Sequence, residues 1–118
     1  MMSMLDKFGI GIDLVNIQNF TKLPFEENET FYKNNFTSDE IMYCIQFSEP
    51  YEHFAGKFAI KEAVIKSIGK KIPLISIMTS HTNLQPFVKI KNNNDYNFKV
   101  TLSHENDFAV AVVISEQT

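Results

Sequence analysis

The segment FAGKFAIKEAVIKSIG, from Phe54 to Gly69, constrains the fold of this chain more than any other part of the sequence. Its spacing predicts a helix. At about 100° per residue, Lys57 and Lys61 lie beside apolar residues, and Glu62 shares a side with the apolar Phe58 and Ile65. No clean polar face remains, so the rest of the protein must wrap most of this helix. Because an unpaired buried charge is costly, the charged side chains need partners, which are either one another or a charged ligand.

A second carboxylate, Asp13, closes the apolar run from Phe8 to Ile12, which predicts a short strand whose glycines permit close approach of another backbone. Two carboxylates on separate elements can converge on a hard cation and leave most of its coordination sphere to water and phosphate, as Mg²⁺ prefers. The ordinary structural alternative is that Asp13 caps a helix while Glu62 pairs with Lys66, a surface contact worth about 0.3–0.5 kcal/mol. Zinc is a poor match, because the three histidines and the one cysteine show no ligand spacing.

Charge and length narrow the class of protein. The 118 residues carry a net charge of −3, and all eleven basic residues are lysines. The net charge argues against a nucleic-acid binder that covers phosphates with a broad basic face. Because every basic residue is a lysine, each anion contact is made by a flexible point charge. A chain of this length indicates one domain, residues 1–118, with a limited core that oligomerisation would supplement.

The single cysteine and the lack of long apolar segments indicate the compartment. Cys44 has no partner for an internal disulfide, which fits a reducing environment, and its apolar neighbours predict inert core packing. No segment reaches the roughly 18 apolar residues that a membrane span needs, and the first residues given show no long apolar segment after a basic region. We therefore expect a cytoplasmic protein with no membrane and no nucleic-acid partner.

The remaining patterns predict helices in the first half of the chain and hairpin strands in the second. The predicted helices are Leu14–Lys22, Thr30–Phe36 and a helix from a Thr37 capping box to about Phe47; the predicted strands are Leu74–Met78, Phe87–Ile90, Phe98–Leu102 and Phe108–Ile114. This order indicates an α+β domain with a largely antiparallel sheet packed on the long central helix. Because the last strand is apolar throughout, we expect it to be covered on both faces, by the central helix or by another subunit.

Three motifs share their order and separations with a known family: GIGIDLV from Gly9, AGKFAIKEAVIKSIG ending at Gly69, and VTLSHENDFAVAVVI ending at Ile114. The chain resembles the holo-acyl-carrier-protein synthases, the small bacterial type of 4′-phosphopantetheinyl transferase, over nearly its whole length. The resemblance implies the fold of that family, a homotrimer with active sites between subunits, and a role in fatty acid biosynthesis and lipid metabolism.

The resemblance also implies a reaction. The 4′-phosphopantetheine arm of coenzyme A moves to a serine hydroxyl of apo-acyl carrier protein, and adenosine 3′,5′-bisphosphate is released. Asp13 and Glu62 are implied to hold a magnesium ion that also contacts the coenzyme pyrophosphate, and Lys66 to stabilise the phosphate charge that develops. The serine proton leaves through Glu62 or through a metal-bound water, and the sequence does not choose between them.

The same resemblance assigns four side chains to coenzyme binding: Lys57, Lys61, Ser103 and His104. Lys57 occupies a position that often carries arginine, so it keeps the charge and loses the bidentate fork. Lys61 is expected either to contact phosphate or to pair with Glu62. Ser103 and His104 match a Ser-His pair that lies near the ribose 3′-phosphate of the coenzyme.

The sequence departs from the family pattern at the surface that binds the carrier protein and in two loops. Arginine is common where Asn19 stands, and Lys22 and Lys33 are the candidates to replace its charge. The loop after the central helix is shortened to residues 70–73. Leu84 stands where a turn usually carries glycine, so that turn must take another shape.

Two alternatives to the standard activity remain open. One is a transferase that serves a specialised carrier protein. The other is a catalytically weak relative that binds coenzyme A or a partner as a structural or regulatory module. The retained Asp13, Glu62 and Lys66 argue against the second alternative, whereas the missing arginines favour it.

Overall fold

The structure is a computed structural model that describes residues 3–82 and 85–118. Its α helices are α1 (Gln18–Thr21), α2 (Glu29–Asn35), α3 (Ser38–Ile45) and α4 (Pro50–Ile68). Its β strands are β1 (Phe8–Asn16), β2 (Ile77–Thr82), β3 (Gln85–Ile90), β4 (Tyr96–Glu105) and β5 (Phe108–Gln117). Short 3-10 turns occur at Met4–Lys7, Phe25–Glu27 and Leu74–Ser76.

The strands form two antiparallel sheets. In the larger sheet β5 is the central strand, with β1 on one side and β4 on the other. β2 and β3 pair with each other as a separate hairpin. Helix α4 packs on the larger sheet, mainly against β1 and β5. The predicted α+β class, with antiparallel strands packed on the central helix, is therefore confirmed.

Two glycines explain why β1 lies so close to α4. A Cβ atom built on Gly11 would stand 1.9 Å from the carbonyl oxygen of Ala63, and one built on Gly9 would stand 1.7 Å from the carbonyl oxygen of Ser67. Both distances are far below any real carbon–oxygen contact, so only glycine permits this approach of strand and helix backbones. The close approach that the glycines of the first motif predict is confirmed.

Strand β1 is longer than the sequence predicts, and α1 is shorter. The strand runs on to Asn16, because β5 continues to supply partners as far as the pair between Asn16 and Phe108. The predicted helix from Leu14 is therefore wrong over its first part, and only Gln18–Thr21 is α-helical. Asp13 consequently lies inside the strand, opposite Ala111, and does not close it.

The helix boundaries follow local chemistry. Helix α4 begins at Pro50, earlier than predicted, because the fixed φ angle of proline suits the first position of a helix. It ends at Gly69, whose φ of 68° is the left-handed conformation expected of a glycine cap. The predicted capping box of α3 is also confirmed: Thr37 Oγ1 accepts from the Glu40 amide at 3.2 Å, and Glu40 Oε1 accepts from the Thr37 amide at 2.8 Å.

An aromatic core fills the space between α4 and the smaller helices. The ring of Phe54 lies 4.6 Å from that of Tyr32 and 5.1 Å from that of Phe36, centroid to centroid. The Tyr32 hydroxyl donates to the carbonyl oxygen of Leu23 at 2.6 Å, so this buried phenol keeps a hydrogen-bond partner. Cys44 is fully buried in the same core, and burial raises the pKa of its thiol to about 12, which confirms its predicted inert packing.

The outer face of the larger sheet remains open in the single chain. Helix α4 covers one face, where Val113 and the alanines of β5 are buried. On the other face Ile10, Ile12, Leu14 and Ile114 are 70%, 59%, 61% and 43% exposed. The predicted cover on both faces of β5 is thus provided by α4 on one side only.

Strand β2 begins later in the chain than the sequence predicts. The first hairpin segment begins with a 3-10 turn, so β2 starts at Ile77 rather than at Leu74. The turn that contains Leu84 lies outside the described residues. Within residues 3–82 and 85–118, no helix is long and apolar enough to cross a membrane.

Candidate active site

Strand β1 and helix α4 bring the two predicted metal-binding carboxylates to one cavity. Asp13 lies in β1, and Glu62 lies in the part of α4 that packs against this strand. Both line a cavity of about 360 Å³, whose wall also includes Asn19 and Phe20 of α1 and Phe58 of α4. Residues that are distant in the sequence thus share one concave site because the glycines of β1 allow the strand to lie directly on the helix.

Lys66 joins this group by binding Asp13 rather than Glu62. Its Nζ donates to Asp13 Oδ1 and to the carbonyl oxygen of Ile12, each at 3.0 Å. The side chain of Asp13 is 16% exposed, whereas that of Lys66 is 53% exposed. The alternative of a Glu62–Lys66 surface pair is therefore wrong, because Lys66 reaches across to β1, and a helix-capping Asp13 is wrong because the strand continues past it.

The donor set suits a hard divalent cation. Two carboxylates from different elements line the cavity, and the described part of the chain contains no group of three or more His, Cys, Asp or Glu side chains arranged to hold a metal. Zinc sites in proteins use three or four protein ligands, whereas Mg²⁺ is held by one or two carboxylates and keeps its other positions for water and phosphate. Asp13 and Glu62 therefore fit Mg²⁺ better than Zn²⁺.

Lys61 has a structural role that the sequence does not reveal. Its fully buried Nζ donates to Glu40 Oε1 at 2.6 Å and to the carbonyl oxygens of Asn35 and Leu74 at 2.8 and 3.1 Å. These three acceptors satisfy all three ammonium hydrogens, so none is left for a phosphate. The assignment of Lys61 to coenzyme binding and the alternative of a pair with Glu62 are both corrected by this geometry.

Glu40 is the carboxylate that makes this burial of Lys61 tolerable. Its Oε2 accepts from the amide and the hydroxyl of Thr79 at 2.8 and 2.6 Å, in addition to the contacts of Oε1 with Lys61 and Thr37. Burial alone would raise the pKa of the Glu40 carboxyl, but the Lys61 ammonium and these hydrogen bonds lower it below its ordinary value. Glu40 therefore stays ionised and joins α3, α4 and β2.

Lys57 points into the protein in the free chain. The residue is 2% exposed, and its Nζ donates to Thr79 Oγ1 at 3.0 Å and lies 4.7 Å from the ring centroid of Tyr43. Because Thr79 Oγ1 gives its only hydrogen to Glu40, it must accept from Lys57, which fixes the direction of this hydrogen bond. Burial lowers the pKa of Lys57. Its contact with coenzyme phosphate stays a prediction.

Ser103 and His104 lie near the end of β4, beside the N-terminal half of α4. Both residues are exposed, and His104 Nε2 is 3.2 Å from the carbonyl oxygen of Glu52. A Cβ built on Gly56 would stand 3.4 Å from the same ring nitrogen, so the histidine packs directly on the helix. Their contact with the coenzyme also stays a prediction. His104 thus lies beside α4 at Gly56, whereas Asp13, Glu62 and Lys66 lie together at the cavity.

Sequence reasoning missed the residues that surround Lys57. Thr79 and Tyr43 belong to no motif. From the sequence, Glu40 is recognised only as part of a capping box, and its contacts with Lys61 and Thr79 are not predicted. The ring of His81 stacks on Tyr43 with centroids 5.2 Å apart, and its buried Nδ1 has no hydrogen-bond partner among the described residues. Burial and the nearby Lys57 ammonium lower the pKa of His81 to about 4, so the ring is neutral at neutral pH.

Comparison with known proteins defines the class to which this fold and site belong. A family model described as the 4′-phosphopantetheinyl transferase superfamily matches residues 9–113. The chain belongs to this superfamily. The resemblance that its three motifs indicate is therefore confirmed, and it covers almost the same span of residues.

Relatives of this chain within the superfamily include holo-[acyl-carrier-protein] synthases. That of Thermodesulfovibrio yellowstonii is 36% identical over 109 residues, which cover 90% of this chain and 96% of the relative. That of Halothermothrix orenii is 35% identical over 121 residues, which cover 92% and 97%.

Solved structures give the same result for the fold. The Bacillus anthracis holo-(acyl-carrier-protein) synthase, solved in complex with CoA (3′,5′-ADP), superposes with a TM-score of 0.81 at 26% identity and covers 93% of this chain and 96% of that one. The Helicobacter pylori synthase, solved with coenzyme A, superposes with a TM-score of 0.80 at 26% identity and covers 91% and 99%.

Proposed function

We propose that this protein transfers the 4′-phosphopantetheine group of coenzyme A to a serine of an apo-acyl carrier protein in a magnesium-dependent reaction. The observation that carries the proposal is the shared cavity of Asp13 and Glu62, with Lys66 bound to Asp13 at its edge. Relatives that share at least a third of their residues with this chain are named for the same activity. Such an arrangement suits phosphoryl transfer, in which positioning and charge neutralisation supply most of the catalysis.

The reaction requires the protein to bind the coenzyme, to neutralise the charge of its phosphates and to accept the serine proton. The serine oxygen forms a bond to the phosphorus that carries the pantetheine arm, and the bond from that phosphorus to the bridging oxygen breaks. Adenosine 3′,5′-bisphosphate leaves with the electron pair of that bond, and the serine proton passes to a base. Mg²⁺ held by Asp13 and Glu62 would supply neutralisation of the pyrophosphate charge.

The side chains around the cavity divide these tasks. Glu62 is the carboxylate of this chain that we assign to accept the serine proton. Lys66 is half-exposed beside the cavity and supplies positive charge toward the phosphate as negative charge develops on it. Lys57, Ser103 and His104 belong to the coenzyme-binding group, with Lys57 providing a cation without a bidentate fork.

We also propose that the active unit is a homotrimer with sites between subunits. The exposed apolar face that includes Ile12 of β1 and Ile114 of β5 supports this proposal, since a face of this kind on a small protein marks an interface. The carrier protein would approach the surface near α1, where Lys22 is exposed; Lys33 already forms an ion pair with Glu29 at 3.1 Å.

Mass spectrometry of an apo-acyl carrier protein tests the proposed function. Incubation with this protein, coenzyme A and Mg²⁺ should add one phosphopantetheine group to the carrier, and EDTA should abolish the addition. A panel of carriers distinguishes a general from a specialised transferase. Binding of coenzyme A without modification of any carrier would instead identify a catalytically weak relative.

A further inference from the structure

The ammonium group of Lys66 already neutralises one of the two proposed metal ligands. Its Nζ lies 3.0 Å from Asp13 Oδ1, and the same nitrogen is held by the carbonyl oxygen of Ile12. Glu62, one helical turn before Lys66, forms no ion pair among the residues that the structure describes. The cavity therefore has one carboxylate with an internal counter-ion and one without.

This asymmetry affects how strongly the free protein can bind a divalent cation. Two carboxylates give the site a charge of −2, and the Lys66 ammonium reduces it to −1. A positive charge this close to a ligand oxygen repels a second cation and occupies one of the lone-pair directions of the carboxylate. The metal and Lys66 therefore compete for Asp13.

The exposure of Lys66 allows this competition to have two outcomes. Its side chain is 53% exposed and makes two hydrogen bonds, so its ammonium can rotate away into water, and the metal then takes its place as the counter-ion of Asp13. Lys61 on the same helix is the opposite case, because it is fully buried and bound to three acceptors. Of these two lysines, Lys66 is the one that combines a carboxylate partner at the cavity with freedom to move.

We propose that Lys66 is an internal competitor of the metal: it holds Asp13 in the free protein and transfers its charge to the coenzyme phosphates when metal and coenzyme bind together. The inference rests on the proposed function, because it takes Asp13 and Glu62 as the metal ligands. Its consequence is that the free protein binds the divalent cation weakly and that coenzyme A raises this affinity. Metal and coenzyme then load as a pair.

Titration of the free protein with Mn²⁺, followed by the EPR signal of the unbound ion at constant pH and salt, tests the proposal without any turnover. Lys66→Gln removes the charge but keeps a hydrogen-bond donor in a good helix former, and it should bind Mn²⁺ about tenfold more tightly than the natural protein. Lys66→Arg keeps the charge and should bind Mn²⁺ as weakly as the natural protein. Circular dichroism checks that both variants are folded.

Lys71→Gln is the matched control, because Lys71 is an exposed lysine just beyond α4 and forms no ion pair within the described residues. It removes the same charge away from the cavity and should leave Mn²⁺ affinity unchanged. In the presence of saturating coenzyme A, the advantage of Lys66→Gln should disappear or reverse, since Lys66 then serves the phosphates.

Several results would overturn the proposal. Unchanged or weaker Mn²⁺ binding by Lys66→Gln would show that Lys66 does not compete, and equal tightening by Lys71→Gln would reduce the effect to net charge. An advantage that persists with coenzyme A would show that Lys66 never leaves Asp13. If Asp13→Asn binds Mn²⁺ as the natural protein does, the metal site itself is wrong. Failure of carrier modification by the natural protein, in contrast, bears on the proposed function alone.

Discussion

Three lysines of one helix show how position decides the role of a residue type. Lys61 is buried and paired with Glu40, Lys57 is buried under Tyr43, and Lys66 is half-exposed against Asp13. The sequence predicts that all three carry charge on a wrapped helix. It does not predict their partners, because each partner lies on another element far along the chain and no local spacing encodes such a contact.

The two carboxylates of the cavity should control activity more than stability. Replacing Asp13 or Glu62 by alanine removes a proposed metal ligand, so phosphopantetheine transfer should fall at least about a hundredfold, the scale of losing one key electrostatic contact. Neither residue is among the buried charged residues of the described chain, so the thermal unfolding midpoint should change little. Mass spectrometry and circular dichroism check both expectations. Near-normal transfer by Asp13→Ala at saturating Mg²⁺ would contradict the assignment.

The buried ion pair should control stability instead. Glu40→Gln leaves the Lys61 ammonium without its counter-ion, and the loss of one partner of a buried pair costs about 3–5 kcal/mol of unfolding free energy. The double variant Glu40→Gln with Lys61→Met should recover part of that loss, because it removes the orphaned charge. Urea unfolding at one protein concentration measures the unfolding free energies of the natural protein, of Glu40→Gln, of Lys61→Met and of the double variant. Additive effects of the two substitutions would show that the groups are not coupled.

The same pair predicts how stability depends on pH. The folded-state pKa of Glu40 lies below its ordinary value of 4.5, so its contribution is present above that value and is lost as pH falls through the lower folded-state pKa. Below about pH 4.5 the unfolding free energy of the natural protein should therefore fall more steeply than that of Glu40→Gln. Urea unfolding at a series of acidic pH values gives the two slopes. Parallel slopes would exclude this carboxyl as a source of acid sensitivity.

At the scale of elements, regular patterns predicted the structure well and mixed patterns did not. Helix α4, its glycine cap and the capping box of α3 follow directly from the sequence. The predicted first strand is too short, because the outer face of β1 is apolar while its inner face carries glycine and Asp13. This pattern is the reverse of that of an ordinary half-buried strand. A charged residue such as Asp13 after an apolar run is typical of the end of a strand. The pairing with β5 shows that the strand continues past it.

The contact between β1 and α4 should be intolerant of any side chain. Gly11→Ala places a Cβ 1.9 Å from the carbonyl oxygen of Ala63, and the strand must move, which should cost about 3 kcal/mol, the upper end of the range for overpacking. Gly56→Ala is the matched control. Its Cβ would meet the movable end of the Leu102 side chain at 2.8 Å, and alanine favours the helix, so the change should be below about 1 kcal/mol. Equal losses in the two variants, measured by urea unfolding, would contradict this account.

At the scale of the whole molecule, the open face of the larger sheet is the feature that one chain leaves incomplete. Isoleucine and leucine side chains of β1 alternate outward along the strand, and β5 adds Ile114 beside them. Covering such a surface contributes roughly 25 cal/mol per Å² of apolar area removed from water. A chain of this size gains much of its stability from that source if it assembles.

Sedimentation equilibrium should give three times the 13.6 kDa mass of the chain. Ile12→Glu places a charge on the open face and should produce smaller species with reduced transfer activity, because burying the unpaired carboxylate is costly. Met42→Glu, at a position on α3 that is 67% exposed, is the matched control and should leave the mass unchanged. A stable, fully active monomer of the natural protein would rule out the shared site.

The pairing of β1 with β5 has a consequence for how the protein is made. Phe8 lies opposite Glu116, so a strand synthesised early must wait for one synthesised late, and Asp13 acquires its neighbour Ala111 only then. Contacts between such distant segments slow folding, and until they form the apolar strand is exposed to other nascent chains. Strand β1 therefore reaches its place in the larger sheet only after β5 has been synthesised.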